Sequence, residues 1–148
     1  MHLCYKRLSF AKILKQINSK MKKIILDTNF LMLLGQFKID IFSELERICH
    51  FSYEIFILDR TLEEMDGIIR KQKGNQRDAA KLSLSIIRKK GVKVMDTEGS
   101  AYADSALLGA AEDKNTIIAT QDAELKKKLQ EKGSQVIILR QKKHLVLM

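Results

Sequence analysis

Four acids stand where a parallel sheet would gather them. Asp27 follows the apolar run Ile24-Ile25-Leu26, and Asp122 comes shortly after a second run from Thr116 to Ala119. Glu64 lies in the first turns of a helix expected after a strand ending at Leu58. Asp104 lies near the start of a helix expected after a strand ending at Met95. In open parallel sheets ligands bind just beyond the carboxyl ends of the strands, so one rim could hold all four acids. Carboxylates within a few ångströms of one another repel, and their pKa values rise unless a cation offsets them. Oxygen donors with no partnering His or Cys suit Mg²⁺ or Mn²⁺. His2, His50 and His144 all fall away from these positions, which argues against zinc.

Each acid also has a plainer role. Asp27 before Thr28-Asn29, and Asp122 before Ala123, could simply cap the helices that follow, as aspartate commonly does. Glu63 and Glu64 could favour a helix dipole from the first turn, and Asp59 reads mainly as a cap. Taken singly, the plain role wins for every one of them. The constellation is harder to dismiss, because each topologically suitable strand end carries an acid.

The elements that must position these residues alternate. After Ile24–Leu26, helices are expected over Phe30–Gln36 and Ile41–Ile48, then a strand over Glu54–Leu58. A helix over Thr61–Arg70, a turn at Lys73-Gly74-Asn75 and a long helix over Gln76–Lys89 follow, stopped by Gly91. Val92–Met95 is the third strand, Tyr102–Glu112 a helix, Thr116–Ala119 a strand, Ala123–Lys132 a helix and Gln135–Leu139 the last main strand. Strands alternating with helices predict βαβ units and a three-layer α/β/α domain around a central, mostly parallel sheet. The continuously apolar strand runs suit burial on both faces.

Composition narrows the class. With 148 residues, 45% hydrophobic and 30% charged, the chain can bury the core of one ordinary domain. No apolar stretch approaches the roughly 18–20 residues of a membrane-spanning helix. Cys4 and Cys49 make neither a disulfide framework nor a Cys-X-X-Cys zinc knuckle, which fits a reducing, cytoplasmic setting. The formal charge of +9 is uneven: residues 1–20 hold five basic residues and no acid, and beyond them 22 basic residues face 18 acidic ones. Most of the apparent basicity therefore sits in an N-terminal extension, and polyanion binding by the rest must be argued from patches. Within that extension Phe10, Ile13, Leu14 and Ile17 fall at helical spacing between lysines, as in a basic amphipathic helix. Equally, Met21-Lys22-Lys23 leads straight into the first strand, so residues 1–20 could be dispensable and 21–148 the domain.

The segments around the acids resemble the motifs of the PIN-domain family. Ile25-Leu26-Asp27-Thr28-Asn29-Phe30 is similar to the opening motif and Leu62-Glu63-Glu64-Met65 to the second. Tyr102-Ala103-Asp104-Ser105-Ala106 resembles the third, and Ile118-Ala119-Thr120-Gln121-Asp122-Ala123-Glu124-Leu125 the fourth. The likeness runs from Met21 to about Arg140. It leans towards archaeal PIN proteins similar to the processome-type rRNA-processing nuclease, with toxin ribonucleases of the VapC type next.

The resemblance implies hydrolysis of RNA phosphodiester bonds, with Asp27, Glu64, Asp104 and Asp122 as catalytic and metal-holding residues for Mg²⁺ or Mn²⁺. Asn29 and Thr120 would orient ligands or water behind them. In-line attack would leave a 5′-phosphate and a 3′-hydroxyl. Of the two adjacent glutamates, Glu64 is preferred, since Met65 takes the apolar position after it. Arg70-Lys71-Gln72-Lys73, Arg77 and Lys126-Lys127-Lys128 could receive the RNA backbone, although such runs are more often solvated faces. A homodimer, through the extension or the apolar end Leu145–Met148, and an antitoxin or ribosome-assembly partner are further expectations; a membrane is not.

Two other readings stay open. In the processome-like branch the third motif often carries two adjacent aspartates, and here the second position is Ser105. A catalytically weak PIN fold kept as an RNA-binding or ribosome-assembly module is therefore the alternative. A phosphoacceptor aspartate is disfavoured, because Asp27-Thr28-Asn29 lacks the second acid of an Asp-X-Asp pattern. No Gly-X-X-X-X-Gly-Lys loop for a nucleoside triphosphate is present.

Overall fold

Alternate residues of each central strand point to opposite faces of a sheet, and here both faces are apolar. The computed structural model describes residues 21–97 and 103–148. Its strands are β1 (Lys22–Leu26), β2 (Tyr53–Leu58), β3 (Lys93–Met95), β4 (Thr116–Ala119), β5 (Val136–Arg140) and β6 (His144–Leu147). They form one sheet in the order β3-β2-β1-β4-β5-β6, parallel except for β6, which runs antiparallel to β5. Ile24, Leu26, Ile57, Ile117, Ala119 and Ile137 face one core, while Ile25, Leu58, Ile118 and Val136 face a second. The period of two with burial on both sides is what continuous apolar runs require.

Among the described residues six helices cover the sheet: α1 (Thr28–Phe37), α2 (Ile41–Ile48), α3 (Asp59–Lys71), α4 (Asn75–Lys89), α5 (Ala103–Ala110) and α6 (Ala123–Glu131). The larger core lies under α1 to α4, with Phe30, Leu45, Met65 and Ala80 fully buried there. The smaller one lies under α5 and α6, with Leu107, Leu125 and Leu129. Full burial of one such large apolar side chain contributes about 1.5–3 kcal/mol. The three-layer α/β/α arrangement expected from the alternation is the one found. Helix α1 crosses α4 closely because Gly35 meets the backbone at Ala79, and Ser83 Oγ donates to Leu31 O at 2.8 Å. Helix α3 begins at Asp59, whose carboxylate accepts from the amide of Arg60.

The sheet extends one strand beyond what the sequence pattern predicts. His144–Leu147 pairs with β5, and Leu145 is fully buried against the larger core. The apolar C-terminal end is thus largely spent inside the domain, and as a dimer contact only the flanks of Val146, Leu147 and Met148 stay accessible. The outer edge of β6 is covered at Leu145 by side chains of α2. Glu44 accepts from Leu145 N at 3.0 Å, and Arg47 donates to Leu145 O at 2.9 Å, so both outward backbone groups of that residue are satisfied. An exposed edge strand is otherwise a template for unwanted pairing. The amphipathic helix expected in the basic extension, and the helix start expected at Tyr102, lie outside the described residues. No helix among the described residues is long and apolar enough to cross a membrane.

Candidate active site

Strand order reverses between β1 and β4: β2 and β3 lie on one side of this pair, β5 and β6 on the other. A crevice opens at the carboxyl ends of strands at such a switch point. Asp27 and Thr120 are the first residues past the two strands. Leu26 stands opposite Ala119, and Asp27 N donates to Ala119 O at 2.9 Å.

Asp27 is the buried acid of the group, only 8% exposed. Its Oδ1 accepts from Thr28 N at 2.8 Å, capping α1, and its Oδ2 accepts from the Thr120 hydroxyl at 2.8 Å. Burial pushes its carboxyl above the usual range. The hydrogen bonds from Thr120 and Thr28 oppose that shift, and repulsion from Asp104 and Glu64 adds to it. None of these strongest influences is a cation. A cap needs neither burial nor other acids nearby, so capping describes only part of what Asp27 is placed to do.

The remaining residues are placed by what surrounds that carboxylate. Thr28 Oγ1 donates to Thr61 Oγ1 at 3.2 Å, tying the first turn of α1 to that of α3. Glu64 lies one turn beyond Thr61 on the same face of α3 and is exposed, whereas Glu63 points elsewhere round the helix. Asp104 and Ser105 are both exposed in the first turn of α5. Asp122 caps α6, with its Oδ1 accepting from Glu124 N at 2.9 Å and Leu125 N at 3.1 Å. Its link to Asp27 runs through Thr120, whose hydroxyl accepts from Asp122 N at 3.1 Å while donating to Asp27. Asn29 is exposed in the first turn of α1 at the same rim.

These residues fit a hard divalent cation in donor type and in charge: oxygen only, anionic, with the buried member raised chiefly by burial and further by its acidic neighbours. Among the described residues no group of three or more His, Cys, Asp or Glu side chains stands close enough together to hold a metal ion. One contributor was not foreseen. The Gln121 side chain donates to Leu139 O at 3.0 Å and accepts from Leu139 N, continuing the β4–β5 ladder one step past the strand. Its only sequence signal is its place between Thr120 and Asp122.

Residues 24–142 match the family described as PIN like domain. The chain belongs to that family. Its PIN domain is 40% identical over 127 residues to Ribonuclease VapC4 of Methanocaldococcus jannaschii, covering 84% of this chain and 95% of that protein. Ribonuclease VapC9 of Archaeoglobus fulgidus is 28% identical over 127 residues, covering 85% and 89%. Among solved structures, the PIN domain endonuclease Utp24 superposes with a TM-score of 0.66 at 21% identity, over 84% of this chain and 90% of that one. A domain of a functionally unknown protein from Methanocaldococcus jannaschii superposes with a TM-score of 0.54 at 15% identity, over 80% and 91%. These two superpositions show the fold of the PIN domain.

Proposed function

We propose that this PIN domain is a metal-dependent endoribonuclease of the cytoplasm, with Asp27, Glu64, Asp104 and Asp122 as its catalytic and metal-holding residues. One observation carries the reading: a carboxylate buried at the switch point of the sheet, raised chiefly by burial and to a smaller degree by two further acids. The names of the two VapC relatives support RNA as substrate. A Mg²⁺ or Mn²⁺ ion bound here would offset the charge that builds on the phosphate and make a water acidic enough to attack at neutral pH.

The chain's own residues do the positioning. Thr28 N and the Thr120 hydroxyl each hold one oxygen of Asp27 and leave it further lone pairs with which to accept a cation. Thr120 also holds the backbone of Asp122, which sets the spacing between the acids that follow β1 and β4. Asn29 and Thr120 orient water or ligands from behind. In-line attack on phosphorus leaves a 5′-phosphate and a 3′-hydroxyl. A homodimer, an antitoxin or a ribosome-assembly partner would act on this same activity.

The test is direct. Purified full-length protein should cut single-stranded RNA in Mg²⁺ or Mn²⁺, stop on addition of EDTA, and lose cleavage by orders of magnitude in Asp27→Asn with the fold intact. RNA binding without cutting, in either metal and across varied substrates, would shift the reading to a binding module. Ser105→Asp would then ask whether a missing acid is the reason.

A further inference from the structure

The carboxyl rim of the sheet carries acids over β2, β1 and β4, and its continuation over β5 and β6 is basic. Strand β5 runs parallel to β1 and β4, so its last residue, Arg140, reaches the same rim as Asp27 and Asp122. The chain reverses there through Gln141, Lys142 and Lys143 into β6. Residues 140–144 are all exposed, and no acid occurs from Gly133 to the C-terminus. Among the described residues Arg140, Lys142 and Lys143 form no ion pair, and Lys142 only rests over the Phe37 ring at 5.4 Å. His144, at the far side of the turn, is taken by Glu44.

The backbone of this turn adds a second observation. Gln141 and Lys142 have φ of 55° and 58°, a left-handed conformation that glycine or asparagine adopts far more readily. Successive strained positions held by long polar side chains point to a use for those side chains. Gln121 braces the hairpin to the loop holding Thr120 and Asp122. With strands about 4.8 Å apart, the hairpin lies about 12 Å along the rim from Asp27. That exceeds the screening length of about 8 Å at physiological salt, so these lysines are largely screened from Asp27.

We propose that the β5–β6 hairpin, through Arg140, Lys142 and Lys143, seats backbone phosphates of the RNA strand flanking the bond that is cut. This rests on the nuclease reading above and assigns that site its substrate track. Phosphates beside the scissile one would meet repulsion over the acids and need cations on the flank. RNA is favoured over an acidic protein because the cations share the rim with the acids, where a strand must lie to be cut.

Binding of a labelled mixed-sequence single-stranded RNA to the full chain in EDTA, titrated against salt, tests this without requiring cleavage. Lys142→Ala/Lys143→Ala should lower the salt slope by about 1.4, at about 0.7 per phosphate contact, and weaken binding about tenfold near 0.15 M salt. Lys114→Ala/Lys132→Ala removes the same charge at the opposite rim, where both residues are exposed, and should leave the slope unchanged. Lys142→Gly should bind more weakly while melting no lower than the parent, a combination that misfolding cannot produce. Equal losses in the two double variants, or no loss at the hairpin, would overturn the proposal. So would loss of binding to polyglutamate with RNA binding intact. A parent that cuts RNA with an indifferent hairpin refutes only this proposal. Hairpin-dependent binding by a parent that never cuts refutes only the nuclease reading.

Discussion

Removing one oxygen at Thr120 should disturb both acids at the switch point. Thr120 is fully buried, and Thr120→Val keeps its volume while deleting the hydroxyl that donates to Asp27 and accepts from Asp122 N. A hydrogen bond to a charged group contributes about 1.5–3 kcal/mol and one between neutral groups about 0.5–1.5 kcal/mol, so the variant should lose about 2–4 kcal/mol at neutral pH. For a domain of this size that lowers Tm by about 6–12 °C. Affinity for Mn²⁺ should fall by about 10–100-fold, as for a lost bond behind a ligand.

The pH dependence separates this account from simple packing damage. The Asp27 carboxyl is raised in the fold by burial, so its ionisation opposes folding once pH climbs past the unfolded value towards the folded one. Valine removes a bond that favours the charged form, raises Asp27 further and enlarges that penalty at neutral pH. As pH falls and Asp27 protonates, the gap between Thr120→Val and the parent should narrow. Thermal melts in EDTA across pH 4–8, with calorimetric titration of Mn²⁺, measure both effects, and Thr120→Ser should restore them. A gap independent of pH together with unchanged Mn²⁺ affinity would refute the coupling.

Other parts of the molecule respond in their own ways. Asp27→Asn and Asp122→Asn should each reduce cleavage by orders of magnitude, and the double variant should be little worse, because residues acting on one centre are not additive; two independent caps would instead cost about 0.5–2 kcal/mol each, with cleavage intact. The Glu44 carboxyl is held down to about 2 from 4.5, chiefly by its hydrogen bond to Arg47. The stability it lends is therefore present above its unfolded value and lost as pH falls from about 4.5 towards 2, so hydrogen exchange should show β6 fraying in that window, and Glu44→Gln should flatten the response. Gly35→Ala would drive a methyl group into Ala79 O and Ser83 Oγ and should destabilise the α1–α4 crossing by about 1–3 kcal/mol on urea denaturation.

What the sequence disclosed follows the range of the forces involved. Ile24–Leu26 and Thr116–Ala119 were legible because strands buried on both faces must be apolar at every step. The places of the four acids, just after such strands or early in the next helix, followed from the same pattern. Strand β6 was not. Its turn lacks the glycine or asparagine that usually announces a hairpin, since Gln141 and Lys142 occupy the left-handed positions. Nor could local pattern expose Glu44 and Arg47 as the clamp on Leu145, because that contact joins residues about a hundred positions apart. Gln121 stayed hidden for the opposite reason: it is adjacent to the motif and works by extending a backbone ladder.

Capping at Asp27 and the metal-holding role proposed for it would be one arrangement seen from two sides. Holding Oδ1 on Thr28 N orients the carboxylate at the end of β1, and the Thr120 hydroxyl completes that orientation from β4. A cap with only that duty would be better left in water, where its charge is solvated. Sinking it beneath the rim, within reach of Glu64 and Asp104, raises its pKa and stores repulsion among the acids. A divalent cation bound there would relieve that repulsion. The basic hairpin lies beyond the screening length from Asp27, so it does little to offset that charge. On the proposed reading, separation of the two charge signs along one rim would let the same surface hold metal at its centre and phosphate on its flank.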